Sequence, residues 1–529
     1  MTDVESLRSQ LRDRGYLSHG IERWFALDPW SSRAFWAELL TVAAKAAVLI
    51  ALFGSLPCAA VMLARNHPLT AVETLELFAL YALAWFAIGF VVVLAVALLL
   101  KIRPEITIDT SRGLLAISIA TSIVLIVPLA AWWYEFDALP SAVELAVGSV
   151  LAAIFFVVAT IVASAALLSF TIYELQRIPA IHQKPRGGPL SIAAAILVAL
   201  LFVPVYATPE RHAGSPQQVV TVPAQRHVAL IGVDGLSDDI LRSRPDLARE
   251  FTIVQPVRSI SGSSTTERWA SAGTGVPASL HGVRAVEGVR LAGGPHILQS
   301  VSRADLALRA VATRQPLPPT IRRRDYVWEI FAGRGVTSLS VNWWTTSDAR
   351  IGALTSIGQE TIFGTAKKDA LAIDSGAAQR FLREAGATHP QFATIYLPAL
   401  DVILNRVAAE PSARLAMSIR ALDGALALVR ALRQRGYDVV LVGMPGESQS
   451  GRAVVASSIN LSAASSPFDV APTLCSLMGF PASSEMPGRS LTGETGPRIA
   501  SYGSRTQSDA SPKLNQEYYD SLKSLGYIR

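Results

Sequence analysis

Five apolar stretches precede residue 208, and they constrain this 529-residue chain more than any other feature: Leu39–Ala64, Leu77–Leu100, Gly113–Tyr134, Val143–Phe170 and Leu190–Ala207. At about 1.5 Å of rise per residue, each is long enough to cross a hydrocarbon core of about 30 Å. None carries the polar stripe expected of a helix on the outside of a soluble bundle. Lys45 is the one basic residue inside a stretch, close enough to an end to snorkel to the interface. The first stretch begins too late, and is followed by too many others, to be a cleaved signal. Half the chain, 51%, is hydrophobic, and the excess is concentrated in this region.

Basic residues mark the cytoplasmic side of a membrane. Arg8, Arg12, Arg14, Arg23 and Arg33 precede the first stretch. Lys101, Arg103 and Arg112 lie in the second loop, and Arg177, Lys184 and Arg186 in the fourth. The first loop has only Arg65, and the third, Glu135 to Ala142, has none. This alternation predicts a cytoplasmic segment 1–38, a membrane domain 39–207 of five spans, a linker 208–225 and an external domain 226–529. Trp132, Trp133 and Tyr134 close the third span as an interfacial aromatic belt would. Leu7, Leu11 and Leu17 predict either a short surface helix or a cytoplasmic tail. The formal charge of +6 is largely explained by the loops, and no nucleic-acid signature accompanies it, so no nucleic-acid partner is expected. Cys58 lies in a span and Cys475 in an apolar helical run, on opposite sides of the membrane, which excludes a disulfide between them.

Beyond the Pro/Ser/Gln-rich tether Pro209–Pro223, apolar β-branched runs alternate with helical segments. Strands are expected at Val228–Val233, Ser338–Val341, Phe392–Tyr396 and Val439–Val442. Helices are expected at Trp269–Gly273, Tyr326–Ala332, Ala377–Glu384, Ala413–Arg433 and Val470–Met478. The alternation predicts an α/β domain with a mainly parallel sheet sandwiched by helices. In such sheets chemistry lies at the carboxyl ends of strands, where Asp234 and Asp401 fall. Ala285–Arg324 has no clear periodicity and reads as a surface excursion or cap.

Three motifs carry chemistry: Val233-Asp234-Gly235 after the first strand, Ser263-Ser-Thr265-Thr-Glu-Arg268-Trp269 before Thr274-Gly275, and Asp401 after Ile395-Tyr-Leu-Pro-Ala-Leu. With Asp469-Val-Ala-Pro472-Thr473, Gly488-Arg489-Ser-Leu491 and the closing Leu522-Lys-Ser-Leu-Gly526-Tyr527, this order resembles the alkaline-phosphatase superfamily. Within it, the type I phosphodiesterase/nucleotide pyrophosphatase branch is the one resembled. Such enzymes clamp a phosphoester between two metal ions about 4 Å apart.

By that resemblance Asp234 and Asp401 match metal-binding carboxylates and Thr265 matches the nucleophile, at a helix start where backbone N–H groups favour an anion. Asn405 stands where the family has a ligand histidine. Gly443-Met444-Pro445-Gly446 replaces the family's Ser-Asp-His-Gly, and no histidine follows His389 to complete the set. Arg268 stands where nucleotide pyrophosphatases have a phosphate-contacting Asn; it reads as a phosphate contact or as an exposed helical residue. Two readings follow. In the first, the chain is an inner-membrane pseudo-hydrolase with no cofactor, its external domain serving as a binding, sensing or scaffolding module of the bacterial envelope. Its partners would be the bilayer and a phosphate-bearing envelope lipid or glycan, or a membrane protein. In the second it is a phosphodiesterase or transferase with an altered zinc or manganese site and Thr265 as nucleophile.

Overall fold

The computed structural model describes residues 35–66, 69–102, 111–136, 142–175, a few between 196 and 203, 226–260, 264–292, 294–365, 369–406, 409–446, 451–493, 498–505 and 516–528. These residues fall into two compact units: Met1–Glu210 with Val289–Thr313, and Arg211–Gly288 with Arg314–Arg529.

In the first unit, four helices are long and apolar enough to cross a membrane: α1 (Phe35–Asn66), α2 (Ala71–Ile102), α3 (Ser111–Tyr134) and α4 (Ala142–Leu175). The described residues thus give four spans, not five; the fifth expected stretch, Leu190–Ala207, lies largely outside them, as does the N-terminal segment with Leu7, Leu11 and Leu17. Helix α1 is central, with 83% of its apolar window buried against 22–28% for the other three. Small residues permit the close packing, as in other membrane bundles. A Cβ on Gly54 would stand 2.7 Å from the Trp85 ring, and one on Gly89 2.9 Å from Ile50.

One end of the bundle gathers polar groups. Arg65 at the end of α1 pairs with Glu144 at the start of α4 and lies 4.3 Å over the Phe136 ring. The segment 289–313 docks on this end. Asn66 accepts from the Gln299 and Ser300 amides at 2.8 and 2.9 Å and donates to the Ser300 carbonyl at 2.8 Å. Glu73 accepts from the His296 amide and meets its Nδ1, both at 2.8 Å. Asp305 accepts from the Tyr81 hydroxyl at 2.6 Å and the Trp132 indole at 2.9 Å, while its other oxygen caps α6 (Leu306–Val311) at Leu308. Leu291, Leu298 and Leu308 complete the apolar side of the contact. Within the excursion or cap expected over Ala285–Arg324, the part 289–313 is therefore a clasp on the helical unit. Its strands are two to four residues long, too short to show a period, and its partners are remote in sequence. Trp132, expected in an aromatic belt, is buried under Asp305 and Phe136 instead.

The second unit is built on an eight-stranded sheet, order β2-β11-β10-β1-β9-β6-β8-β7. The strands are β1 (Val228–Asp234), β2 (Ile253–Val257), β6 (Ser338–Val341), β7 (Ala349–Ile351), β8 (Leu354–Ile357), β9 (Phe392–Leu397), β10 (Asp438–Met444) and β11 (Ala453–Ser457). Short strands β3 (Glu287–Arg290), β4 (Ile297–Leu298) and β5 (Thr313–Pro316) form a separate sheet. Strands β10, β1, β9, β6 and β8 run parallel, whereas β11 and β7 are antiparallel to their neighbours. Helices α5 (Thr265–Thr274), α7 (Val327–Ala332), α8 (Ala370–Thr388), α9 (Pro411–Gln434), α10 (Val470–Leu477) and α11 (Gln516–Ser524) accompany the sheet. Every residue of β1 is buried, as expected for a central parallel strand covered on both faces.

Candidate functional site

Asp234 ends β1, beside Met444 at the end of β10. Gly235 then turns with φ +82°, and a Cβ there would stand 2.5 Å from the Asp401 amide nitrogen, so only glycine lets the two carboxylate-bearing turns approach. Thr265 opens α5. Ser264 is its N-cap, accepting from the Glu267 amide at 3.2 Å and donating to the Arg284 carbonyl at 2.6 Å. With the Ser264 hydroxyl thus committed, Thr265 faces Arg268 and Arg406.

Asp401 closes the short helix Ala399–Asp401, and a five-residue π-helical turn, Val402–Arg406, follows. The wider turn brings both the fourth and fifth residues beyond Asp401 back to its carboxylate. Asn405 donates to Asp401 Oδ1 at 2.8 Å, and Arg406 Nε donates to Oδ2 at 2.6 Å. Arg406 also donates to Thr265 Oγ1 at 3.1 Å and to the Gly526 carbonyl at 3.2 Å, and it lies 4.2 Å over the Tyr527 ring. Arg268 reaches the same hydroxyl at 3.3 Å and donates to the Pro445 carbonyl. It is 3% exposed, so the reading of Arg268 as an exposed helical residue is corrected: one α-helical turn carries it inward beside Thr265.

Asp234, Thr265 and Asp401 are each 0% exposed, and the two arginines lie among them. Asp234 Oδ2 accepts from the Tyr396 hydroxyl at 2.8 Å, and among the described residues Oδ1 has no donor at hydrogen-bonding geometry. Burial, followed by the Asp401 charge, pushes the Asp234 carboxyl up to about 7, while Arg268, the Trp269 indole and Arg406 pull it back. Burial beside these carboxylates also holds the Tyr396 phenol well above its ordinary range.

The family's metal ions do not fit these residues. Both Asp401 oxygens are engaged by side-chain N–H donors, and Thr265 Oγ1 accepts from two guanidinium groups. A Cβ on Gly446 would stand 2.2 Å from Asp401 Oδ1, so the chain just past β10 presses against the carboxylate without adding a side-chain ligand. Among the described residues no group of three or more His, Cys, Asp or Glu side chains is placed to hold a metal. The guanidinium groups supply the positive charge that lets two buried carboxylates coexist. Arg406, Tyr396 and Tyr527 went unrecognised as site residues in the sequence. For Arg406 the available signal was an arginine next to the Asn that replaces a histidine.

The remaining motifs are structural. Asp469 accepts from the Ser465 and Arg489 amides at 2.8 and 2.9 Å, tying its own run to the Gly488-Arg489 run. His281 accepts the Val283 amide at 3.1 Å and meets Ser271 at 3.0 Å. Burial, then Arg322, holds its imidazole down at about 3, so it stays neutral.

Residues 228–453 match the model of the type I phosphodiesterase/nucleotide pyrophosphatase family. No curated protein matches the chain. Among solved structures, human ectonucleotide pyrophosphatase/phosphodiesterase 5 is similar at TM-score 0.31 and 14% identity, over 41% of this chain and 56% of its own. Phosphonoacetate hydrolase from Sinorhizobium meliloti 1021 is similar at 0.31 and 14%, over 44% and 60%. The lipoteichoic acid synthase LtaP from Listeria monocytogenes is similar at 0.30 and 10%, over 58% and 94%. The chain thus spans little more than half the length of the first two.

Proposed function

We propose that this chain, whose C-terminal domain is type I phosphodiesterase-like and whose N-terminal helices are those of a membrane anchor, is an envelope pseudo-hydrolase. Its domain binds, senses or scaffolds a phosphate-bearing envelope lipid or glycan, or a membrane-protein partner, rather than hydrolysing a phosphoester. One observation carries this reading: Arg406 bonds Asp401 and Thr265 at once, at 2.6 and 3.1 Å, inside a site whose three family-matched residues are fully buried. Losing preorganised cationic charge at a developing oxyanion typically costs several kcal/mol of barrier. The runner-up, an altered-site phosphodiesterase or transferase, draws on the two guanidiniums at Thr265 Oγ1, which favour an alkoxide. Against it, Thr265 is 0% exposed. Metal content and bis(p-nitrophenyl) phosphate hydrolysis of the full-length protein decide between them. Substoichiometric metal and a rate near background, unchanged by Thr265→Ala, are expected; a robust rate abolished by Thr265→Ala reverses the conclusion.

We place the protein in a bacterial inner membrane with its N-terminus cytoplasmic and residues 208–529 outside. The clasp supports this. The bundle end that receives it lies at the basic-poor loops, and the clasp is covalently continuous with the domain on both sides. Helix α4 ends at Leu175, at the opposite end of the bundle from Glu144. Reporter fusions after Lys184 and after Gly214 are expected to give opposite compartments.

A further inference from the structure

We infer that helix α6 of the clasp is a membrane-dipping element, whose outward arc lies in the bilayer of the leaflet that receives the clasp. The inference rests on α1–α4 spanning a membrane and is independent of the pseudo-hydrolase reading.

Helix α6 buries Leu308 against the bundle, 1% exposed, yet presents Leu306 and Val311 outward at 76% and 61%. Arg309 is the one charged side chain on the exposed arc, which otherwise carries Ala310 and the two large aliphatics. In water such an arrangement leaves two large apolar side chains solvated beside a well-packed contact. At a bilayer surface it is the arrangement of an interfacial helix, apolar groups in the acyl boundary and arginine at the headgroups.

Depth is set by what holds α6. Asp305, immediately before it, is fixed by Tyr81 of α2 and by Trp132 near the end of α3. The apolar part of α2 runs 29 residues, Ala71–Leu99, on the order of 43 Å at about 1.5 Å per residue. That exceeds a core of about 30 Å, so part of α2 projects beyond the hydrocarbon. Tyr81 stands ten residues into that length, near the boundary on the Ala71 side. Leu83 of α2, two residues past Tyr81 on the hydrocarbon side, is exposed at 69%, so an apolar side chain is turned outward at nearly the level at which α6 is held. The segment's exposed charges, Arg290, Arg303 and Arg309, are all basic, complementary to anionic phospholipid.

The test uses the full-length chain in nanodiscs containing anionic phospholipid, with the buried Cys58 and Cys475 replaced by Ala and single cysteines at Leu306 and Val311 carrying a small fluorophore. Leu83→Cys serves as the lipid reference and Ser375→Cys as the aqueous one. Quenching at 306 and 311 by bromine-labelled acyl chains within twofold of that at 83, with iodide quenching at least threefold weaker than at 375, is expected. Iodide quenching equal to that at 375 overturns the inference. Protection from iodide without lipid quenching, lost when discs hold one copy, assigns the face to a second copy of the chain and also overturns it. Arg309→Glu is expected to lower lipid quenching in anionic discs while leaving zwitterionic discs unchanged; equal loss in both removes the charge argument.

Discussion

At Thr265 the hydroxyl oxygen sits between two guanidinium groups, 3.1 and 3.3 Å away, one of which also pairs with Asp401. Removing one charge from a buried pair leaves the other uncompensated, at a cost of about 3–5 kcal/mol. Arg406→Ala is therefore expected to lower the stability of the solubilised full-length protein by about that much in chemical denaturation, with Arg406→Lys intermediate. An unchanged midpoint would mean that Asp401 is balanced by other groups. Asp234 gives a pH dependence. Its folded-state value is raised from 3.8 to about 7, so the folded protein holds that proton more tightly than the unfolded chain. Stability is then fullest below 3.8 and declines as pH rises through about 7. Asp234→Asn removes this dependence while keeping an acceptor for Tyr396. Melting curves from pH 4 to 8 should show the variant gaining on the native protein up to about pH 7, by a few kcal/mol, and levelling off above it. A constant difference would contradict the raised value.

Elements were legible where a single physical pattern dominates. The strands expected at Val228–Val233, Ser338–Val341, Phe392–Tyr396 and Val439–Val442 correspond to β1, β6, β9 and β10, because a strand buried on both faces needs an uninterrupted apolar run. Strand β2 escaped notice because Pro256 interrupts it, which its place at the sheet's edge tolerates. The π turn at Val402–Arg406 was invisible for a different reason. Reading at α-helical spacing pairs Asp401 with Asn405 and passes over the fifth residue, the one that supplies the charge. The turn at Gly235 admits a paired test. Gly235 and Gly436 both have positive φ, +82° and +84°, but a Cβ at 235 meets the Asp401 backbone while one at 436 meets nothing within 4 Å. Gly436→Ala should lose about 1–2 kcal/mol from backbone strain alone, and Gly235→Ala a further 1–3 kcal/mol or so from the clash. Equal losses in denaturant titrations would show that the approach of the two turns is not tight.

Across the whole molecule, the separation into an apolar helical region and an α/β domain could be read from composition and periodicity, whereas the assignment of 289–313 to the helical unit could not. Hydrogen bonds such as Asn66 to Ser300 join residues 234 positions apart and leave no local trace in the sequence. Asp305→Ala would strand the Tyr81 hydroxyl and the Trp132 indole without their acceptor, costing about 1–3 kcal/mol for each buried group. Faster amide exchange is expected across residues 296–308, with β1 unchanged; uniform change in both would argue against a locally acting clasp. That same span of 234 residues fixes an order of events during synthesis. At roughly 5–20 residues per second, some 10–50 s separate the emergence of Asn66 from that of Ser300. Through that interval the polar end of the nascent bundle, with Glu73 and Trp132, waits uncapped, and its last partners form only after the segment that carries His296 and Asp305 has been made.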